Sequence, residues 1–486
     1  MRLEHISRGS RLRLSQSAFV LASVIGLTAC ANMSGIESQA TLRDAPSLGL
    51  PANQSEQLAI DAQWWRAFGD EQLNQLIEQA LVNNPSLKIA QARLARAQAG
   101  VAVTDAASGP QLGVQVDATR QLFTGNGMIP PPYGGTILES GTAQLTGSWE
   151  LDFFGKNRAA LHAALGNVKV AQADAQAARM LLASNVARSY FQLVRLNEQL
   201  GVANRLLAQR EQTLHLVTDR VHAGLDTQLE QRQSEGGLPD ARLQIETLQE
   251  QLTLAKNALN ALLGQQNTPL APVLPAQAAI KKIATATTLP TDLLGRRADI
   301  AAARWRVEAA TQDVGNAKSQ FYPNVNLVAF AGFSSIGLDR LFESGSRQWG
   351  VGPALHLPLF DGGRLRANLK GKTADLDAAI ESYNATVIDA VRDVADQLAS
   401  TQAITRQQTE QRAALASAET SYDIAVQRYN VGLVNYLSVL NAETTVLNQR
   451  RQAVDLTARA LDTQVALMRA LGGGYRAELP AATAQK

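Results

Sequence analysis

The chain is 486 residues long, with 45 Lys+Arg against 43 Asp+Glu, 18% charged residues, 5% aromatic residues and a single cysteine. One cysteine excludes a disulfide scaffold and a Cys-based zinc module, and 45% apolar residues exclude a disordered tail protein. A formal charge of +2 without blocks of like charge gives no field to concentrate nucleic acid, which is not an expected partner. Soluble globular domains carry roughly 25% charged residues, so the shortage of charge points to a large core or to extensive contact with other chains or lipid.

Residues 1–29 read as an export signal. Arg2, Arg8, Arg11 and Arg13 form a positive n-region, and Ala18 to Ala29 an apolar h-region too short to span a bilayer permanently. Leu27-Thr28-Ala29-Cys30 resembles a bacterial lipobox, in which cleavage leaves a lipidated cysteine as the first mature residue, and the only cysteine stands where that motif needs one. Each buried methylene of an acyl chain contributes ~0.8 kcal/mol, so more than one chain makes a lasting anchor. Ala31 stands where an Asp would favour the inner membrane, which makes outer-membrane lipid the expected destination. Residues 30–70 are read as the lipidated N-terminal segment.

After Cys30 no apolar run approaches the ~20 residues of a transmembrane helix, so any crossing must use strands. An internal repeat organises the remainder. Asn84-Pro85-Ser86-Leu87 and Arg297-Ala298-Asp299-Ile300 each open an Ala-rich amphipathic stretch, stopped by Pro110 and Pro323. Phe154-Gly155-Lys156-Asn157-Arg158 parallels Phe360-Asp361-Gly362-Gly363-Arg364. Arg220-Val221-His222-Ala223-Gly224-Leu225 parallels Arg428-Tyr429-Asn430-Val431-Gly432-Leu433, and Leu263-Gly264 parallels Leu471-Gly472, at offsets of roughly 210 residues. The chain reads as one unit written twice, at 71–270 and 291–472, with a linker at 271–290 and a tail at 473–486.

Within each copy the hydrophobic period changes in the same order. Residues 85–108 read as a helix. Residues 111–124 and 142–155 alternate, as in Leu112, Val114, Val116 and in Leu145, Trp149, Leu151, Phe153, around a Gly/Pro-rich loop at 125–141. Residues 324–337 and 347–361 repeat this pair of strands. From Lys156 to Ala223 no proline interrupts the chain, which predicts one helix ~100 Å long, repeated from Arg364 to Val431. Val186, Leu193, Leu200, Leu207, Leu214 and Val221 recur every seventh residue, as do Leu440, Leu447, Val454, Leu461 and Met468. Such heptads imply coiled-coil packing with a left-handed supercoil.

These motifs, with Trp64-Trp65-Arg66-Ala67-Phe68-Gly69-Asp70, Leu238-Pro239, Asp292-Leu293-Leu294-Gly295-Arg296 and Phe321-Tyr322-Pro323 in order between them, resemble the TolC-like outer-membrane efflux proteins and their lipoprotein branch, the NodT family. The resemblance covers the mature chain. It implies a mainly α fold with a membrane β-barrel: a homotrimer in which each chain gives four strands to a twelve-stranded barrel and coiled-coil helices to a periplasmic cylinder. Four strands alone cannot close a barrel, and open edges in lipid leave backbone groups unpaired. Dimers or tetramers would also close, so the number three comes from the resemblance.

The resemblance further implies a passive exit duct for drugs or other small toxic compounds, with a periplasmic adaptor protein and an inner-membrane RND-type pump as partners and no cofactor. Gly224 and Gly432 end the long helices where a positive φ can reverse the chain. By motif, the residues that close the pore in the family fall on Leu437, Asn441 and Thr444, with Leu229 and Gln233 as first-copy counterparts. Asn441 stands where an Asp is usual and Thr444 where an Arg is common, so the expected gate rests on Leu437 packing and neutral hydrogen bonds. Adaptor contacts are expected at the tip around Arg220 and Arg428.

No enzymatic constellation is present, and an enzyme is not expected. Gly371-Lys372-Thr373 lacks the leading glycine of a phosphate loop, Arg366 standing in its place. His215 and His222 lie about 10 Å apart along a helix and cannot share a metal. Glu230 and Glu235 read as solvated helix positions. Two other readings use part of the pattern. The outer channel of a type I protein-secretion system shares the fold, whereas a non-transporting periplasmic coiled-coil lipoprotein has no use for the four alternating segments.

Overall fold

A computed structural model describes residues 33–43, 61–265, 274, 276–281 and 293–475. The export signal and Cys30 lie outside the described residues, as do most of the linker at 271–290 and the tail beyond Tyr475. In chain order the helices are α1 Glu71–Asn83, α2 Pro85–Ser108, α3 Lys156–His222, α4 Gln228–Leu263, α5 Ala298–Ser319, α6 Arg364–Asn430 and α7 Tyr436–Ala470. The strands are β1 Gln111–Leu122, β2 Ile137–Leu151, β3 Asn324–Ile336 and β4 Arg347–His356. Helix, two strands, long helix, helix therefore occurs twice in that order. The chain divides into two compact units, the first from Met1–Leu42, Ala95–Val170 and Ala303–Tyr383, the second from the remaining residues.

In the first unit the strands form one antiparallel sheet in the order β1-β2-β3-β4. Several strand boundaries differ from the sequence reading, those of β2 and β4 most. β2 starts at Ile137 rather than at 142, because Ile137 to Gly141 continue the ladder opposite Leu122 to Ala118. It ends at Leu151 although alternation runs on to Phe153, since the Phe153 N–H turns back to the Leu151 carbonyl at 2.9 Å and Gly155 takes φ +75°. β4 stops at His356, two residues before Pro358, which has no N–H for a ladder. Beside the sheet, Val314 and Ala317 of α5 and Phe321 pack on Leu365 and Leu369 of α6, with Met33 and Ile36 of the N-terminal segment against them. Asp377 holds that segment to α6. Its Oδ1 accepts from Ser38 Oγ at 2.6 Å and from the N–H groups of Gln39 and Ala40 at 3.1 and 3.2 Å.

In the second unit a short 3-10 turn, Trp64–Phe68, plugs the centre of the core. Phe68 meets Phe191 of α3 edge-on at 5.0 Å, and Leu73 and Ile77 of α1, Val186 and Leu193 of α3, Leu263 of α4 and Val465 of α7 close around them. Burying each such side chain contributes roughly 1.5–3 kcal/mol. Asp70 fixes the junction twice: it caps α1 by accepting from the Leu73 N–H at 3.1 Å, and it accepts from the Tyr190 hydroxyl at 2.7 Å. Burial, with that hydrogen bond, raises the Tyr190 pKa. Farther along, Leu200 and Leu207 of the α3 heptads pack with Ile245 and Leu248 of α4, and the α3–α7 seam carries the pairs Arg188–Asp462 at 2.6 Å and Arg195–Asp455 at 2.7 Å.

Candidate channel wall and hairpin tips

The pairing register sorts the sheet into two faces. One row runs Val114, Leu145, Ala331, Trp349, and the next Leu112, Gly147, Ala329, Val351. Their large members are bare in this chain, with Val114 77%, Trp349 78% and Val351 65% exposed. The opposite face carries Gln115, Gln144, Gly332 and Gln348 in one row and Asp117, Thr142 and Ser334 in another. Gln348 Nε2 donates to Gln144 Oε1 at 2.9 Å, so the amides satisfy one another across this face. An apolar face beside an amide-rich face suits a wall with lipid on one side and water on the other. The strands, of 12, 15, 13 and 10 residues, meet the ~9–11 residues a spanning strand needs. Among the described residues β1 and β4 have no outer neighbour, so both edges present free backbone groups. At the sheet end that joins the helices, Phe154 and Tyr322 stack at 5.0 Å, while Phe153 and Phe360 stand exposed, the composition of an interfacial aromatic girdle. Among the described residues no helix is long and apolar enough to cross a membrane.

The two helical hairpins of the second unit turn alike. Gly224 has φ +71° and Gly432 φ +76°, and the Leu225 and Leu433 N–H groups return to the carbonyls of Arg220 and Arg428, each at 2.8 Å. A side chain at either glycine would strain this left-handed closure. α4 then starts on a capping box between Thr227 and Glu230, and α7 on Asn435, whose Oδ1 accepts from the Ser438 N–H at 3.3 Å.

A polar cluster ties one turn to the other. Arg220 Nε donates to Asp226 Oδ2 at 2.9 Å, Arg220 Nη1 reaches the Asn430 carbonyl at 3.3 Å, and the guanidinium lies 4.6 Å from the centre of the Tyr429 ring. The Tyr429 hydroxyl donates to the same Asp226 carboxylate. The Arg220 and Asp226 side chains are only 11% and 10% exposed. Burial opposes ionisation of Asp226, but the bonds from Arg220 and Tyr429 outweigh it and hold the carboxyl below its ordinary range. Higher in the hairpins Arg210 of α3 donates to Glu443 of α7 at 3.0 Å and to the Gly237 carbonyl of α4 at 2.6 Å, joining three helices. There burial prevails over Arg210 and raises the Glu443 pKa.

The five residues expected at the gate all lie on exposed helix positions of this chain. Leu229 and Leu437 are 63% and 53% exposed, and Gln233, Asn441 and Thr444 are exposed as well. Their spacing places Leu229 with Gln233 on one side of α4, and Leu437, Asn441 and Thr444 on one side of α7. The Thr444 hydroxyl bonds its own helix at the Leu440 carbonyl, 2.9 Å away. The two tip arginines differ: Arg428 is exposed, whereas Arg220 is consumed by Asp226 and Tyr429. The other polar residues singled out in the sequence have local partners. Glu230 caps α4, Glu235 pairs with Arg232 at 2.7 Å, His215 pairs with Asp219 at 2.9 Å, and the Thr373 hydroxyl bonds Leu369 inside α6. Sequence reasoning missed Asp226, Tyr429, Arg210 and Glu443. Tyr429 lies in a recognised motif, but nothing local marks its partner 203 residues away.

A bare amphipathic sheet and long helical hairpins are the parts of an outer-membrane channel protein. The family model for outer membrane efflux proteins matches residues 76–265 and 289–473. The multidrug resistance outer membrane protein MdtQ of Escherichia coli O6:H1 is 34% identical over 435 residues, which cover 86% of this chain and 88% of MdtQ. The crystal structure of the outer membrane protein VceC from Vibrio cholerae has 38% identity and a TM-score of 0.79, covering 85% of this chain and 99% of VceC. The outer-membrane channel OprN has 27% identity and a TM-score of 0.81, over 91% of this chain and 98% of OprN. This chain belongs to the outer membrane efflux protein family and works in efflux at the outer membrane.

Proposed function

We propose that the chain is the exit duct of a tripartite pump. Three copies close one twelve-stranded barrel in the outer membrane and line a periplasmic tube with α3, α4, α6 and α7. Drugs and other small toxic compounds pass outward when a periplasmic adaptor protein and an inner-membrane RND-type pump engage the tip. The observation that carries this reading is a four-stranded sheet with an apolar face and two edges unpaired among the described residues. In hydrocarbon each unpaired backbone group costs several kcal/mol, and the edges of identical neighbours supply the missing partners. The naming of MdtQ as a multidrug resistance outer membrane protein supports drugs as the cargo.

The two copies at 71–270 and 291–472 then each contribute half of the strands and one hairpin. Lipid attached at Cys30 anchors the trimer to the same membrane. Met33 packs beside Leu365 and Leu369 at the start of α6, and three further residues reach only ~10 Å. The gate is made by Leu437, Asn441 and Thr444, with Leu229 and Gln233, repeated around the axis. Their exposure in one chain supports a role between chains. Gly224 and Gly432 shape the tip, Arg428 meets the adaptor, and Arg220 acts by fixing the turn through Asp226. Opening requires the partners to bind the open state more tightly than the closed one. In a planar bilayer, purified Asn441→Ala is expected to leak more than the wild-type trimer in its closed state. An unchanged closed current would remove Asn441 from the gate, and a monomer by light scattering in detergent would remove the duct.

A further inference from the structure

In the second unit a cavity of about 630 Å³ opens between the Trp64–Phe68 turn, α3, the start of α5 and the end of α7. That volume lies in the range of small-molecule sites. Two features of its wall ask for a ligand. Trp65 is 1% exposed, yet among the described residues its indole Nε1 has no hydrogen-bond partner, and a buried N–H left unpaired costs ~1–3 kcal/mol. The adjacent Trp64, by contrast, gives its Nε1–H to Met180 Sδ at 3.2 Å. The second feature is charge: the lining holds Arg179, Arg297 and Arg469 but only one carboxylate, Asp299. Asp299 is already bound to Arg297 at 2.6 Å, with Asp393 at 3.6 Å from the same guanidinium. Arg179 and Arg469 have no ion-pair partner among the described residues.

The remaining wall is mostly apolar, with Met180, Leu181 and alanines beside Gln176 and Tyr475. At Gly472 and Gly473 the chain passes close to its neighbours: a Cβ at Gly472 would overlap the Arg296 carbonyl and one at Gly473 would overlap Met180, so neither position tolerates a side chain.

From the unpaired indole, the two unpaired guanidiniums and the apolar lining, we infer that this cavity binds a small amphipathic organic anion. Its carboxylate or sulfonate accepts from Arg179 and Arg469, a small shift of the Trp65 ring brings the buried Nε1–H to the same anion, and its hydrocarbon body lies on Met180 and Leu181. Charge-assisted bonds of this kind are the strong ones, and the apolar body adds selectivity over inorganic anions. The inference stands apart from the duct and gate, and it concerns occupancy alone.

The test is calorimetric titration of the detergent-purified, full-length protein with naphthalene-2-sulfonate. Inorganic sulfate and the neutral 2-naphthol serve as the comparison ligands. The expected result is saturable binding at one site per chain, with Arg179→Gln and Arg469→Gln each weakening it about tenfold and Trp65→Phe several-fold. Because Trp65→Phe also touches the core, its oligomeric state and melting are measured alongside, and Arg469→Gln at an exposed position carries the decision if Trp65→Phe misfolds. No saturable binding, equal affinity for 2-naphthol or for sulfate, or an unchanged affinity in the Arg179→Gln/Arg469→Gln double variant would each overturn the inference.

Discussion

Replacing Asp226 by alanine strips one carboxylate from two donors, Arg220 and Tyr429, and so loosens the first turn and removes one bond to the second, while the Arg220 contacts with the Asn430 carbonyl and the Tyr429 ring remain. The magnitude follows from burial. Breaking a fully buried pair costs about 3–5 kcal/mol, because the surviving charge is left without a partner. Here both side chains retain about a tenth of their exposure, 11% and 10%, which places the cost near the lower limit, about 3 kcal/mol. Tyr429→Phe removes the hydroxyl alone and leaves Asp226 with Arg220, a loss of about 1.5 kcal/mol, the value of one hydrogen bond to a charged group. At 1.4 kcal/mol per tenfold, the opened state of the first turn rises about a hundredfold in Asp226→Ala and about tenfold in Tyr429→Phe. Amide exchange of the peptide spanning residues 223–230, followed by mass spectrometry, reads this population directly, and closed-state conductance reads its effect on the duct. Since both bonds share one carboxylate, adding Tyr429→Phe to Asp226→Ala should change little. Exchange in Asp226→Ala within about twofold of wild type would refute the reasoning.

The faces of the sheet make a paired prediction. Leu145→Arg, on the apolar row, is expected to destabilise the barrel in lipid by about 2–4 kcal/mol, while Gln144→Arg, one residue away on the amide face, is tolerated; urea unfolding in vesicles checks both. Glu443 gives a pH signature. Its raised folded pKa means that the native state binds the proton more readily than the unfolded chain, so its contribution is fully present below the unfolded pKa and is lost as pH rises through the folded pKa. The melting temperature of wild type minus that of Glu443→Gln should therefore be larger near pH 5 than near pH 7.5. Tyr190→Phe should cost about 1.5 kcal/mol in chemical denaturation, since Asp70 keeps its cap on α1 but loses the tyrosine hydroxyl. Gly432→Val should destabilise the second turn and raise protease cleavage there, while Gly201→Ala, in open space within α3, should not.

Long-period features of this chain are legible because each arises from local chemistry repeated many times. A proline-free run with heptads gives α3 its 67 residues, and Gly224 and Gly432 mark reversals since their φ values suit glycine. Strand alternation locates all four strands but not their ends. Ile137 and Leu138 look like loop because glycines and prolines precede them, and only the partner strand decides that they pair. The Trp64–Asp70 motif is visible in the sequence, yet its purpose is not: Phe68 and Asp70 matter through Phe191 and Tyr190, more than a hundred residues away. The tip cluster is hidden for the same reason, because Arg220 and Arg428 sit in equivalent motifs and only three-dimensional pairing makes one a buried clamp and leaves the other bare.

In the proposed trimer, the two raw edges of the sheet make the fitness of each copy a shared property. A variant whose β4 edge is blocked, for instance by proline, would still offer a sound β1 to its siblings and be built into rings with them. Each such ring would carry a breached seam, so an allele of this kind introduced beside the normal one would act dominantly, poisoning mixed assemblies rather than merely halving the number of working pores.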